Sequence, residues 1–219
     1  MKKLIYLVLT LMFATLLANG QDSAKTFQEI KEKLKETEGS LEIYTWLNKQ
    51  PNISFKSGMM PESDTANNLY KLAFSAKAGD IVGPLQNKDG TCSIIRVTSK
   101  GENYLMKVSY IYLDKKSESD SILENKADSI LYILKSGVDF ATLAKKYSMD
   151  GNAKNGGDLG WFEAGVMNQQ FENAIRKHKK GDYFKVKVDQ YGWYVILVTS
   201  DQGHKKYIGR LEITKLNCS

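Results

Sequence analysis

Histidine, cysteine and proline are scarce in this chain: two, two and three among 219 residues. A structural zinc site takes four Cys or His ligands at short spacings. Here Cys92, His178, His204 and Cys218 are scattered, with no C-x-x-C or H-x-x-x-H pair. His178 lies in Lys177-His178-Lys179-Lys180, which reads as a solvated face, so histidine-dependent nucleophilic triads are short of candidates. The phosphate-cradling G-x-x-x-x-G-K-S/T is missing, as is a G-x-G-x-x-G after a strand, which argues against nucleotide chemistry. Neither sign of charge dominates. The 31 Lys and Arg against 25 Asp and Glu leave a formal +6, a weak basis for expecting nucleic acid. At 42% hydrophobic and 26% charged residues, the composition is that of a globular protein.

What is present begins with an export-like start. Lys2 and Lys3 precede an apolar run over 4–18, and Ala18-Asn19-Gly20 offers small residues where a signal peptidase reads. The run is shorter than the roughly 20 residues that span a bilayer, and no cysteine follows it to carry a lipid. We expect residues 1–20 to be a removed signal peptide, with no stable membrane insertion and a periplasmic or secreted mature chain of net charge +4.

The remainder divides near residue 103. Before it, apolar Phe27, Ile30 and Leu34 predict a helix over 24–38 that stops at Gly39, with a short helix over 41–48. Leu69, Leu72 and Ala73 predict a third, followed by strands over 81–85 and 92–98. Beyond it, 107–113 is β-branched and aromatic, hence a strand. Residues 120–135 place Leu123, Ala127, Ile130, Leu131 and Leu134 on one helical face, with Ser121 and Glu124 spaced as a capping box. Asp139 caps a short helix, and a helix facing inward with Phe171, Ala174 and Ile175 follows a glycine-rich loop. The last strand runs over 193–199. The two halves echo each other in order. Gly79-Asp80 and Gly181-Asp182 follow similar helices, Gly90 and Gly192 each lie 11 residues further on, and both closing strands end in Val-Thr-Ser. The organisation expected is a signal over 1–20, a degenerate repeat over 21–103, an intact unit over 104–200 and a strand extension over 201–219. The half-buried alternation around Leu211 and Ile213 suggests that this extension returns to the first repeat as its missing strand; the alternatives are an edge strand on the second unit or a loose basic tail. If Ile213 faced Cys92, Cys218 would lie too far along to bridge to it unless the tail folded back, so the pairing of the two cysteines stays open.

Tyr147-Ser148-Met149-Asp150, then Lys154-Asn155-Gly156-Gly157-Asp158-Leu159-Gly160-Trp161-Phe162, then Gly165, Met167 and Phe171-Glu172, closing with Tyr191-Gly192-Trp193-Tyr194, resembles the parvulin (PpiC-type) family. The likeness covers roughly 105–200. It implies an α+β fold, a four-stranded antiparallel sheet with surrounding helices, here preceded by a degenerate parvulin-like repeat. It also implies peptidyl-prolyl cis/trans isomerisation, which breaks no bond and needs neither cofactor nor metal.

By the same resemblance Leu159, Met167, Phe171 and Phe162 would bind the proline, and Asp150 would lie beside the reacting carbonyl. Asp158 would fix the loop backbone. Where many parvulins carry two histidines this chain has Tyr110 and Tyr194, on the first and last strands. A phenol hydrogen-bonds as well but titrates near 10. Asp114 stands where phosphopeptide recognition would want a base. As a wall rather than a core, Met167 and Phe171 should tolerate truncation. Two functions follow: an exported isomerase that assists secreted or outer-membrane proteins, or a non-catalytic binding module for extended proline-containing segments. Either way the partners are unfolded polypeptides.

Overall fold

The computed structural model describes residues 26–37, 40–65 and 67–218. The expected signal segment lies outside them. Helix α1 (Phe27–Glu36) begins with a reciprocal cap: Thr26 Oγ1 accepts from Glu29 N at 3.2 Å while Thr26 N donates to Glu29 Oε2 at 2.8 Å. Its period buries Phe27, Ile30 and Leu34. Then come α2 (Ser40–Leu47), β1 (Ser54–Pro61), α3 (Asn68–Ser75), β2 (Ile81–Gln86) and a 23-residue strand β3 (Cys92–Asp114). The chain continues through α4 (Asp120–Lys135), α5 (Phe140–Tyr147), β4 (Asp158–Glu163), α6 (Gln169–Ile175), β5 (Tyr183–Val188), β6 (Gly192–Val198) and β7 (Gly203–Leu216).

Two compact units share these strands. One holds residues up to 56 with 81–96 and 212 onward; the other holds 57–80 and 97–211. In the first, β2 pairs antiparallel with the start of β3, from Ile81 opposite Arg96 to Gln86 opposite Cys92. In the second, β4, the latter part of β3, β6 and β5 pair antiparallel in that order. This is the expected four-stranded sheet. Ile111, Leu113, Trp193 and Val195 point to one face, where Leu123, Ala127 and Ile130 of α4 and Phe140 and Leu143 of α5 cover them. Met106, Val108, Tyr110, Ile196 and Val198 point to the other, under Phe162, Phe171 and Ile175. Alternation along each strand fixes both sets.

Several details differ from or add to the expectations. Ser121 and Glu124 form no capping box: α4 starts at Asp120 behind Ser119, and Glu124 instead accepts from Lys185 Nζ at 3.0 Å. Near residue 103 strand β3 runs on unbroken with β7 alongside, and the two compact units part between Arg96 and Val97. Gly209 faces Thr98 and Ser99, and Gly101 faces Tyr207. That register, carried along antiparallel strands, puts Ile213 across from Ile95 rather than Cys92. With a kink at Lys215, whose φ is 62°, Cys218 then reaches Cys92 and bridges to it with Cα atoms 5.2 Å apart. The bridge left open by the sequence is present, because the strand sits about three residues further along than an Ile213–Cys92 pairing would put it.

Candidate active site

The site is assembled on the α6 face of the second unit's sheet. Tyr110 and Tyr112 on β3 lie opposite Ile196 and Tyr194 on β6, so all four side chains share one face. The Tyr110 and Tyr194 rings stand 5.7 Å apart, and Tyr112 lies 5.0 Å from Tyr194. Phe171 of α6 meets Tyr194 edge-on at 5.2 Å and Tyr110 at 6.2 Å. Such edge contacts suit the ring quadrupoles.

Asp150 reaches this cluster from the end of α5. Met149 N donates to Tyr112 O at 2.8 Å, and Ser148 Oγ accepts from Tyr112 N at 3.0 Å, which docks the segment on β3. Ser148 Oγ donates in turn to Asp150 Oδ1 at 3.0 Å, and the Tyr110 hydroxyl donates to Asp150 Oδ2 at 2.5 Å. The glycine-rich loop explains itself here. A Cβ on Gly157, at φ 78°, would lie 2.2 Å from Tyr110 O, so only glycine lets the loop approach β3. Asp158 Oδ1 accepts from Gly160 N at 2.9 Å, the backbone-fixing role expected of it.

A cleft of about 430 Å³ opens over these rings, lined by Val166, Met167, Asn168, Phe171, Val188, Tyr191 and Tyr194. Of the expected residues it takes Met167, Phe171 and Tyr194. Tyr110 and Asp150 adjoin it through the Tyr110–Tyr194 and Tyr110–Phe171 ring contacts. Leu159 packs half-buried on the same cluster, and Phe162 is 5% exposed within it; neither lines the cleft. Phe171 is only 2% exposed, so it is core as well as wall, and the expectation that it tolerates truncation is wrong. Tyr112, Val166, Val188 and Tyr191 were missed. Period-two alternation from Tyr110 already marked Tyr112, and Tyr191 opens the quoted Tyr-Gly-Trp-Tyr run.

Burial, followed by the hydrogen bond and charge of Asp150, pushes the Tyr110 hydroxyl well above its ordinary pKa near 10. Burial, then Tyr112 and Asp150, push Tyr194 up likewise. Both stay neutral donors at physiological pH. Among the described residues no cluster of His, Cys, Asp and Glu is arranged to hold a metal ion.

Residues 92–202, half of the chain, match the family model described as the PPIC-type PPIASE domain. The chain belongs to this family. The PPIC-type match begins earlier than the expected unit, at the start of β3, and takes in every expected site residue. "Foldase protein PrsA" of Geobacillus sp. (strain WCH70) is 45% identical over 85 residues, 38% of this chain and 31% of that protein. "Chaperone SurA" of Pseudomonas fluorescens (strain Pf0-1) is 32% identical over 130 residues, 57% of this chain and 30% of that protein. The solved structure of PrsA from Bacillus subtilis is 38% identical, with a TM-score of 0.38, over 45% of this chain and 36% of that one. The chain thus spans about a third of the length of the relatives it matches.

Proposed function

We propose that the chain is an exported peptidyl-prolyl cis/trans isomerase whose cleft takes the proline ring of extended polypeptide clients. The observation carrying this reading is a cleft to which Val166, Met167, Phe171 and Val188 contribute apolar side chains, set beside the Tyr110–Asp150 pair. Rotation about an X–Pro bond is slow because amide resonance must be broken, and uncatalysed turnover takes tens to hundreds of seconds. Each tenfold acceleration asks for about 1.4 kcal/mol of selective stabilisation of the twisted state. There the nitrogen is more basic and the carbonyl less polarised. The wall anchors the ring in both states, and Asp150, held at a set position beside the carbonyl, is what favours the twisted state over the planar one. Tyr110 and Ser148 hold Asp150, Tyr194 floors the cleft, and Leu159 and Phe162 back the wall. The names of the relatives, a foldase and a chaperone, support folding clients as substrates. The apolar run after Lys2 and Lys3, with a disulfide in the mature chain, supports an oxidising compartment outside the inner membrane.

The paired replacement of histidine by tyrosine favours one rival, a module that grips proline segments without turning them. NMR exchange spectroscopy of a proline tetrapeptide with the full chain separates the two. Accelerated exchange supports the isomerase; no acceleration, together with suppressed client aggregation, leaves the binding module.

The first repeat reads as a permuted relic of the same unit. Lys77 N donates to Asp80 Oδ2 at 2.8 Å and Gly79 N to Val97 O at 2.8 Å; Lys179, Asp182, Gly181 and Val198 repeat this at 2.9 and 2.9 Å. Strand β7, neighbour to both β1 and β3, takes the place that the latter part of β3 holds between β4 and β6. By that correspondence, buried Ile213 is the counterpart of Tyr110 in the second unit.

A further inference from the structure

Two side chains of α6 that do not line the cleft are bonded to the backbone of both its walls. Glu172 is 6% exposed, yet has no ion-pair partner among the described residues. A buried carboxylate needs its charge compensated, and here backbone donors do so. Gly165 N donates to both oxygens, each at 2.9 Å, and Met167 N to Oε1 at 2.9 Å. These bonds hold the segment that presents Val166 and Met167 to the cleft. Two residues back, Gln170 makes a reciprocal pair with Asp189: Nε2 donates to Oδ2 at 2.7 Å, and Oε1 accepts from Asp189 N at 3.1 Å. Asp189 lies between Val188 and Tyr191, which supply the β5–β6 part of the cleft's lining.

We propose that Gln170 and Glu172 are positioning residues that set the width of the cleft, tying each wall to one helix. The proposal rests on the reading of the cleft as a proline site. A proline ring is bound by close apolar contact, and a gap of 0.5–1 Å forfeits about a quarter to a half of each contact's attraction. The ring is gripped alike in the planar and twisted states. Loosening a wall therefore raises KM and leaves kcat nearly unchanged. Asn168, which caps α6 through Gln170 N at 2.8 Å, keeps the helix start fixed so that both ties share one reference.

The test is a charge swap in the full chain. Gln170→Glu sets two carboxylates against each other at an exposed position and should raise KM for a proline tetrapeptide about fivefold, with kcat within about twofold. Adding Asp189→Asn to that variant restores the donor and should return KM to near the wild-type value. Hydrogen exchange reads the same ties without any catalysis: the Asp189 amide should exchange faster in Gln170→Glu, and the Met167 amide faster in Glu172→Gln. Equal KM in the single and double variants, or unchanged exchange at both amides, overturns the proposal. A wild-type protein that neither binds nor isomerises the peptide overturns the proline-site reading instead. The ties are then judged by exchange alone: faster exchange sustains them and unchanged exchange removes them.

Discussion

Removing one oxygen from the site, by Tyr110→Phe, isolates the pair on which the proposed chemistry leans. The ring stays, with its contacts to Tyr194 and Phe171 at 5.7 and 6.2 Å, so packing is nearly conserved. What is lost is a 2.5 Å hydrogen bond to the Asp150 carboxylate. A bond to a charged group contributes about 1.5–3 kcal/mol. Asp150 is half-buried, so water partly replaces the phenol, and Ser148 still holds the other oxygen. The expected loss is therefore about 1–2 kcal/mol, a fall in Tm of about 3–6 °C. If the same bond fixes Asp150 at the reacting carbonyl, kcat/KM falls about 5- to 30-fold. Tyr194→Phe, which leaves that bond intact, should change both quantities far less. A second signature is alkaline. Both phenols have native pKa values raised above the unfolded value near 10. Their contribution to stability is present below pH 10 and is lost progressively as the pH rises above it, because the unfolded chain releases those protons first. Tyr110→Phe should flatten that alkaline loss. The assays are thermal melts from pH 7 to 11 and tetrapeptide exchange. A variant with wild-type Tm, rate and alkaline slope would refute the reasoning.

Phe171→Ala should cost about 3–5 kcal/mol of stability, since the ring is 2% exposed, whereas half-buried Met167→Ala should melt closer to wild type while still weakening peptide binding; denaturant titration beside peptide titration distinguishes them. Isomerisation should be flat between pH 6 and 8, because Tyr110 and Tyr194 are pushed away from neutrality, and an inflection near pH 6.5 in the rate profile would implicate a histidine. Reducing the Cys92–Cys218 bridge, which closes a loop of 126 residues, should destabilise the protein by about 2–4 kcal/mol, measured by paired denaturant melts with and without reductant.

Local pattern and chemistry were legible before any coordinates. Asp139 caps α5 through Thr142 N, and α4 ends at Lys135, because capping and period are written in adjacent residues. Tyr110 and Tyr194 could be assigned to the first and last strands from the motif, while their shared face rests on the register that sets Tyr112 opposite Tyr194. What was not legible depends on distant partners. Whether Phe162 lines a cleft or backs it turns on where α6 lands, and nothing within a few residues of Phe162 encodes that. The Cys92–Cys218 bridge turned on a register difference of about three residues, which strand periodicity leaves open. Glu172 was quoted only as part of a motif. Its work is visible once the amides of Gly165 and Met167 are seen to converge on it.

The position of β7 bears on how the chain comes to be folded as it is made. Strands β1 and β3 flank β7 directly, yet some 90 residues of synthesis separate the end of β3 from the beginning of β7. Until residue 216 has emerged, both flanking strands present unpaired edges to whatever surrounds them. By contrast, β3 to β6 supply a complete four-stranded sheet by residue 198 and can close without waiting. Pairing across so long a separation is slow relative to local contacts. As it is made, the polypeptide would then be a half-finished object whose four-stranded sheet matures first, with strand edges open to aggregation until the last strand arrives.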